Sequence, residues 1–273
     1  MSTALWRGIA FGVVLSLSSM SAAWLEAAEF RIETRVYKGD DADPLNSTTT
    51  LFRDGRVYDL PRTPIGPCDI TVFDPRNGRF ILLDTKRKLK TELQMSLIEE
   101  YVEGQRVRAR KGDSPFLKFL ADPEFEESYD EANHRVELES AFMTYKLTTS
   151  QVTSPEAMQQ YGDFADGFTK LTPVLEIAAP PPFARLVVNQ ALRERNLIPD
   201  RVEMTARPDG EVGSKQEFKL RSEHEVTWKL LGEDRTKIDQ IVNQIGTYKA
   251  VGIDEFRRRP AETTANAKEP AKK

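Results

Sequence analysis

Any catalysis in this chain would have to be built from two histidines, one cysteine and a large stock of carboxylates. His134 lies in EANHRVE and His224 in SEHEV, both strand-like and rich in acid, so both are expected as surface strand residues. Nucleophilic catalysis needs a base held beside the nucleophile, and neither segment supplies that pairing. A histidine metal site needs ligand spacing of the H-E-x-x-H or C-x-x-C kind. That spacing is missing, so neither a metal nor a cofactor is implied. Cys68 in PIGPCDI follows two prolines into an apolar run, and it is expected as a packed thiol. A reactive thiol would need access and a lowered pKa.

Glu124-Phe125-Glu126-Glu127 and Glu137-Leu138-Glu139 bring carboxylates together, but among 43 acidic residues such runs arise by chance. They are expected on solvated strand faces, and no catalytic residue is assigned. No phosphate-binding glycine loop is present. Two basic groups remain: Lys86, Arg87 and Lys88, and then Arg106, Arg108 and Arg110. Each reads as a solvated turn or a helix C-terminus, or alternatively as a cationic rim that attracts an anionic headgroup or an acidic partner.

The elements that would position these residues begin with strands. Phe30, Ile32, Thr34 and Val36 alternate with Arg31, Glu33, Arg35 and Tyr37, the period of a half-buried strand. Asp54-Gly55 joins Thr48–Arg53 to Arg56–Asp59 as a two-residue hairpin. DPRNG joins Asp69–Phe73 to Arg79–Leu83, and both faces of this second hairpin are apolar, so it should be covered on both sides. Thr91 is read as the N-cap of a helix through Leu93, Leu97, Ile98 and Tyr101 to Gly112.

Further along, Ser114-Pro115 and Ser154-Pro155 start helices, the second weakened by Gly162 and Gly167. Phe125–Asp130, His134–Ser140 and Ala141–Thr149 read as a strand meander. A helix striped by Phe183, Leu186 and Val187 follows three prolines, then strands at Arg201–Ala206, Lys215–Leu220 and Ser222–Leu230. Ile238, Ile241, Val242 and Ile245 mark a last helix. Strands outnumber helices and are joined by tight turns, so the class is α+β with an antiparallel sheet.

The start of the chain carries an address. Arg7 precedes the apolar run Gly8–Leu17, and small residues follow at Ala23, Ala27 and Ala28, as in a cleaved signal peptide. Residues 1–28 are therefore expected to be removed, 29–259 to form one domain, and 260–273 (PAETTANAKEPAKK) to be disordered. The remaining roughly 245 residues suffice to bury about 70% of the unfolded surface. Of the 273 residues, 39% are hydrophobic and 30% charged, with a net charge of −4, which gives no general attraction for nucleic acid. No later run approaches the roughly 20 apolar residues that span a bilayer. The location implied is periplasmic or extracellular.

TTTLFRDGRVYDL (48–60), DITVFDPRNGRFILLDTKRKLKTEL (69–93) and the helix after them resemble the periplasmic lipoprotein carriers of the LolA-like family. That resemblance implies a strongly curved antiparallel half-barrel closed by inserted helices over an apolar cavity. It carries over no functional residue. On this reading Ile70, Val72, Phe80, Leu82, Met143, Leu147, Val226 and Trp228 are the candidate ligand-lining residues, with core packing as the plain alternative. The function expected is non-catalytic binding of a lipid-like or lipoprotein ligand. An envelope sensor or scaffold with a filled core, bound to an envelope protein, is the alternative, and a secreted hydrolase the third reading.

Overall fold

The structure, a computed structural model, describes residues 28–63, 68–176 and 179–258. The leader read from the sequence, apart from its last residue Ala28, and the C-terminal tail from 260 lie outside the described residues. Among these residues the strands are β1 (Phe30–Lys38), β2 (Asn46–Arg53), β3 (Arg56–Pro61), β4 (Ile70–Asp74), β5 (Arg79–Asp84) and β6 (Leu89–Gln94). They continue as β7 (Glu126–Asp130), β8 (Arg135–Glu139), β9 (Met143–Gln151), β10 (Leu197–Ala206), β11 (Phe218–Thr227) and the short β12 (Lys249–Ala250). The helices are α1 (Met95–Lys111), α2 (Pro115–Ala121), α3 (Pro155–Leu175), α4 (Phe183–Glu194), α5 (Gly232–Thr247) and α6 (Ile253–Arg257). The strands form one curved, open sheet in the order β12-β6-β5-β4-β3-β2-β1-β11-β10-β9-β8-β7, antiparallel except where β12 joins β6. The α+β half-barrel class expected from the sequence is the one observed.

The alternation in β1 sorts the two faces. Phe30 and Ile32 turn inward to a cluster with Phe52, Phe73, Phe80 and Leu82 under α3, while Arg31 turns outward. The doubly apolar β4–β5 hairpin is covered on both sides. Ile70, Val72, Ile81 and Leu83 pack outward against Ile238 and Ile241 of α5. Phe73, Phe80 and Leu82 pack inward against Phe164 and Leu171 of α3. At the other end, Val136, Leu138, Tyr145 and Leu147 pack beneath Leu120 of α2 and Ala184, Val188 and Leu192 of α4.

One buried ion pair ties α5 to the outer face. The Arg31 Nη1 donates to both Asp234 oxygens at 3.0 and 3.2 Å, and Asp234 also accepts from the Leu231 backbone N–H at 2.8 Å, capping the helix. Arg31 reaches Glu33 as well.

Four local readings are corrected. Thr91 does not cap a helix. Leu89, Thr91 and Leu93 alternate with Lys90 and Glu92 as strand β6, in register with β5 (Leu82↔Thr91, Phe80↔Leu93), and α1 starts only at Met95. Hydrogen bonding to a strand edge outweighed the helical spacing, and Leu97 is left exposed. Gly162 and Gly167 do not interrupt α3. A Cβ on Gly167 would lie 3.2 Å from the Phe80 ring, so glycine lets the helix sit close on the sheet. β10 begins at Leu197 and absorbs Pro199 at a register shift, and β11 runs unbroken where two strands were expected.

Candidate functional site

Between the central strands and the helices the inner face is hollow. Two chambers lie side by side on the β3-β2-β1-β11-β10-β9 segment of the sheet. The first, of about 390 Å³, is floored by Val36, Leu220, Ser222, Val202, Met204, Met143 and Tyr145. Phe168, Thr172 and Pro173 of α3, Ala184 of α4, Leu120 and the Ala179–Pro182 segment close it from above. The second, of about 330 Å³, is floored by Ile32, Thr34, Thr48, Thr50, Phe52, Asp59 and His224, under Tyr161, Phe164 and Ala165 of α3. Val36, Phe168, Thr169 and Arg185 border both. Each volume falls in the range of roughly 300–1,000 Å³ typical of small-molecule sites.

The second chamber has a polar seam in its floor. The strands place Thr34 opposite both His224 and Thr48, and Thr50 opposite Asp59. The His224 Nδ1 shares a hydrogen bond with the Thr34 hydroxyl at 3.0 Å, and its Nε2 with the Ser222 hydroxyl at 2.9 Å. The Thr50 and Thr48 hydroxyls donate to Asp59 Oδ1 at 2.7 and 3.2 Å.

Burial decides the charge of both titratable groups. Desolvation pushes the Asp59 carboxyl up to about 6, against the smaller opposing pull of the two threonine bonds. Desolvation, aided by the Arg185 charge, pushes His224 down to about 3, so its imidazole is neutral near pH 7. The folded pKa of His224 is depressed, so its contribution to stability is present above the ordinary value of 6.5 and is lost as pH falls towards 3. His224 is half-buried in the chamber floor and not on the outer surface where it was expected. Both its ring nitrogens meet hydroxyls, no carboxylate among the described residues orients it, and so weak a base is a poor proton acceptor at neutral pH.

The residues singled out in the sequence are distributed unevenly. Met143 lines the first chamber. Phe80 and Leu82 are fully buried in the packed cluster under α3, and Leu147 in the cluster beneath α4. Ile70 and Val72 face α5 on the other side of the sheet. Val226 packs against the inner cluster, and Trp228 is 51% exposed with its ring 5.3 Å from Phe30.

The basic groups line neither chamber. Lys86 and Lys88 are exposed in the β5–β6 turn, and Arg87 pairs with Asp84 at 2.6 Å and bonds the Phe256 and Arg258 carbonyls. Arg106 lies 3.8 Å over the Phe183 ring and bonds the Ala121 carbonyl, Arg110 pairs with Asp122 at 2.5 Å, and Arg108 is exposed. Cys68 is buried, its thiol pushed up to about 11 by desolvation. Among the described residues no group of three or more His, Cys, Asp or Glu converges as a metal would require.

Sequence reasoning missed Asp59, Arg185 and the threonine seam. The stripe expected on α4 was Phe183, Leu186 and Val187, but the helix buries Phe183, Ala184, Val188, Asn189, Ala191 and Leu192, and Arg185 stands three and four residues before Val188 and Asn189.

No family model matches the sequence, and no curated protein matches it. Among solved structures, a LolA superfamily protein from Nitrosomonas europaea aligns over 76% of this chain and 88% of its own. The two are 8% identical, with a TM-score of 0.28.

Proposed function

We propose that this chain is an exported, non-catalytic carrier that holds an apolar, lipid-like ligand between its half-barrel and helices α3 and α4. The observation that carries the reading is the pair of adjoining chambers on the inner face, where the sheet's core is left unfilled. Burying an acyl chain there gains roughly 0.8 kcal/mol per CH₂ without any polar motif. The wall residues suit an irregular apolar guest, with Met143 and Met204 adapting in shape. Export is supported by Arg7 and the apolar run Gly8–Leu17. Among the described residues no helix is long and apolar enough to cross a membrane.

A scaffold that docks on an envelope protein is the second reading, favoured by the solid inner face at β4–β5, where Phe73 and Phe80 stack at 4.7 Å. Native mass spectrometry of the protein from its own host separates the two. The carrier should lack the leader and bear a noncovalent lipid adduct. Thr169→Trp, placed in the wall common to both chambers, should reduce that adduct about 10-fold or more while leaving the circular dichroism spectrum unchanged. An adduct-free wild-type protein would favour the scaffold.

A further inference from the structure

The wall between the chambers holds one charged side chain. Of the four residues bordering both, Val36 and Phe168 are apolar, Thr169 is neutral, and Arg185 carries a full positive charge. Its helix neighbour Arg193 pairs with Asp166 at 2.7 Å. Arg185 has neither an ion-pair nor a hydrogen-bond partner among the described residues. Asp166, across on α3, is taken up by Arg193 and Asn189, and Asp59 is held by the threonine hydroxyls in the floor of the second chamber. Arg221 also borders the first chamber, but its guanidinium lies 4.2 Å over the Tyr37 ring and pairs with Glu223 at 3.5 Å. A half-buried guanidinium with no counter-ion in place is free to pair with the anionic head of a ligand.

We propose that Arg185 is the anchor for the headgroup of a single-chain amphiphile bearing one carboxylate, with its acyl chain lying in the adjoining chamber. The inference rests on the carrier reading and adds the ligand's class to it. One uncompensated charge matches one negative charge, and the guanidinium fork matches the two oxygens of a carboxylate. Among the described residues no lysine lines either chamber, and the other arginine there, Arg221, already faces Glu223 and bonds the Asp41 carbonyl, so a dianionic phosphate monoester would meet one uncompensated cation. The apolar walls on both sides of Arg185 accept the chain.

The test is titration calorimetry of the delipidated protein with laurate and with 1-dodecanol, which share a chain and differ in the head. Laurate should bind about 10-fold or more tightly than dodecanol. Arg185→Met should abolish that preference while leaving dodecanol binding intact. Arg185→Lys keeps the charge without the fork, so it should retain part of the preference and guard against a misfolded Met variant. Equal affinity for the two probes, or a preference that survives in Arg185→Met, would overturn the headgroup assignment and leave the carrier reading standing. Tighter binding of dodecyl phosphate than of laurate would overturn the carboxylate. If neither laurate nor dodecanol binds the wild-type protein, both readings fall.

Discussion

Phe80→Ala is expected to cost about 3–5 kcal/mol, whereas Met143→Ala should cost about 2 kcal/mol, the low end for truncating a buried methionine. Both side chains are buried on the inner face of the same sheet, so hydrophobicity alone does not separate them. What separates them is the surrounding space. Phe80 is fully enclosed, stacked 4.7 Å from Phe73, with α3 resting on it at Gly167. Removing its ring opens a void that the rigid helix contact cannot close. Met143 already borders open volume, so its truncation enlarges a chamber and adds little new unfilled surface. For a domain of this size Phe80→Ala should lower the melting temperature on the order of 10 °C, at about 2–4 °C per kcal/mol. Differential scanning calorimetry of the two variants gives the comparison. Equal losses would mean that the inner face is equally filled at both places, and the division into a solid β4–β5 end and a hollow centre would be wrong.

That division explains what could be read from the residues. The solid end announced itself, because burial on both faces leaves a strand apolar at nearly every position, as in Ile70–Phe73 and Phe80–Leu83. Asp54 and Gly55 both take positive φ in the β2–β3 turn, and Gly78 does so after β4, as the turn residues require. The hollow centre was illegible for the opposite reason. A threonine on a strand reads the same whether it packs in a core or faces a chamber, so the alternation that put Thr34 on the inner face with Phe30 and Ile32 did not announce a hollow there. His224 was placed on the surface with its flanking Glu223 and Glu225, which point to the other side of β11. A chamber is a property of spacing between layers, fixed where α3 and α4 approach the sheet, and strand periodicity does not encode it. Arg185 gave no warning either, because the stripe read from the sequence (Phe183, Leu186, Val187) is rotated from the face that α4 buries, which carries Ala184, Val188, Ala191 and Leu192.

Asp59→Asn is expected to stabilise the protein at neutral pH and to leave it nearly unchanged in acid. The Asp59 carboxyl is buried and held at about 6 in the folded state against an ordinary value of 3.8. A raised folded pKa means that the folded protein binds the proton more tightly than the unfolded chain does. Stability from this group is therefore complete below the ordinary value and declines as pH rises through about 6, the folded value. Two pKa units correspond to about 3 kcal/mol, an order-of-magnitude ceiling for the penalty at pH 7.5. Asparagine keeps the shape, and its amide oxygen can still accept the Thr48 and Thr50 hydroxyl bonds, so it removes the ionisation and little else. The variant should be about 1–3 kcal/mol more stable than wild type in urea unfolding at pH 7.5, with the gap closing by pH 4. His224 moves the other way with pH, but it is common to both proteins and cancels in the difference. A variant less stable than wild type at pH 7.5 would show that the ionised carboxylate has a compensating cation in the second chamber. The expected gain has a structural reading too: the chamber floor keeps an ionisable group where an apolar core would serve stability better, and groups retained at such a cost collect where a protein binds something.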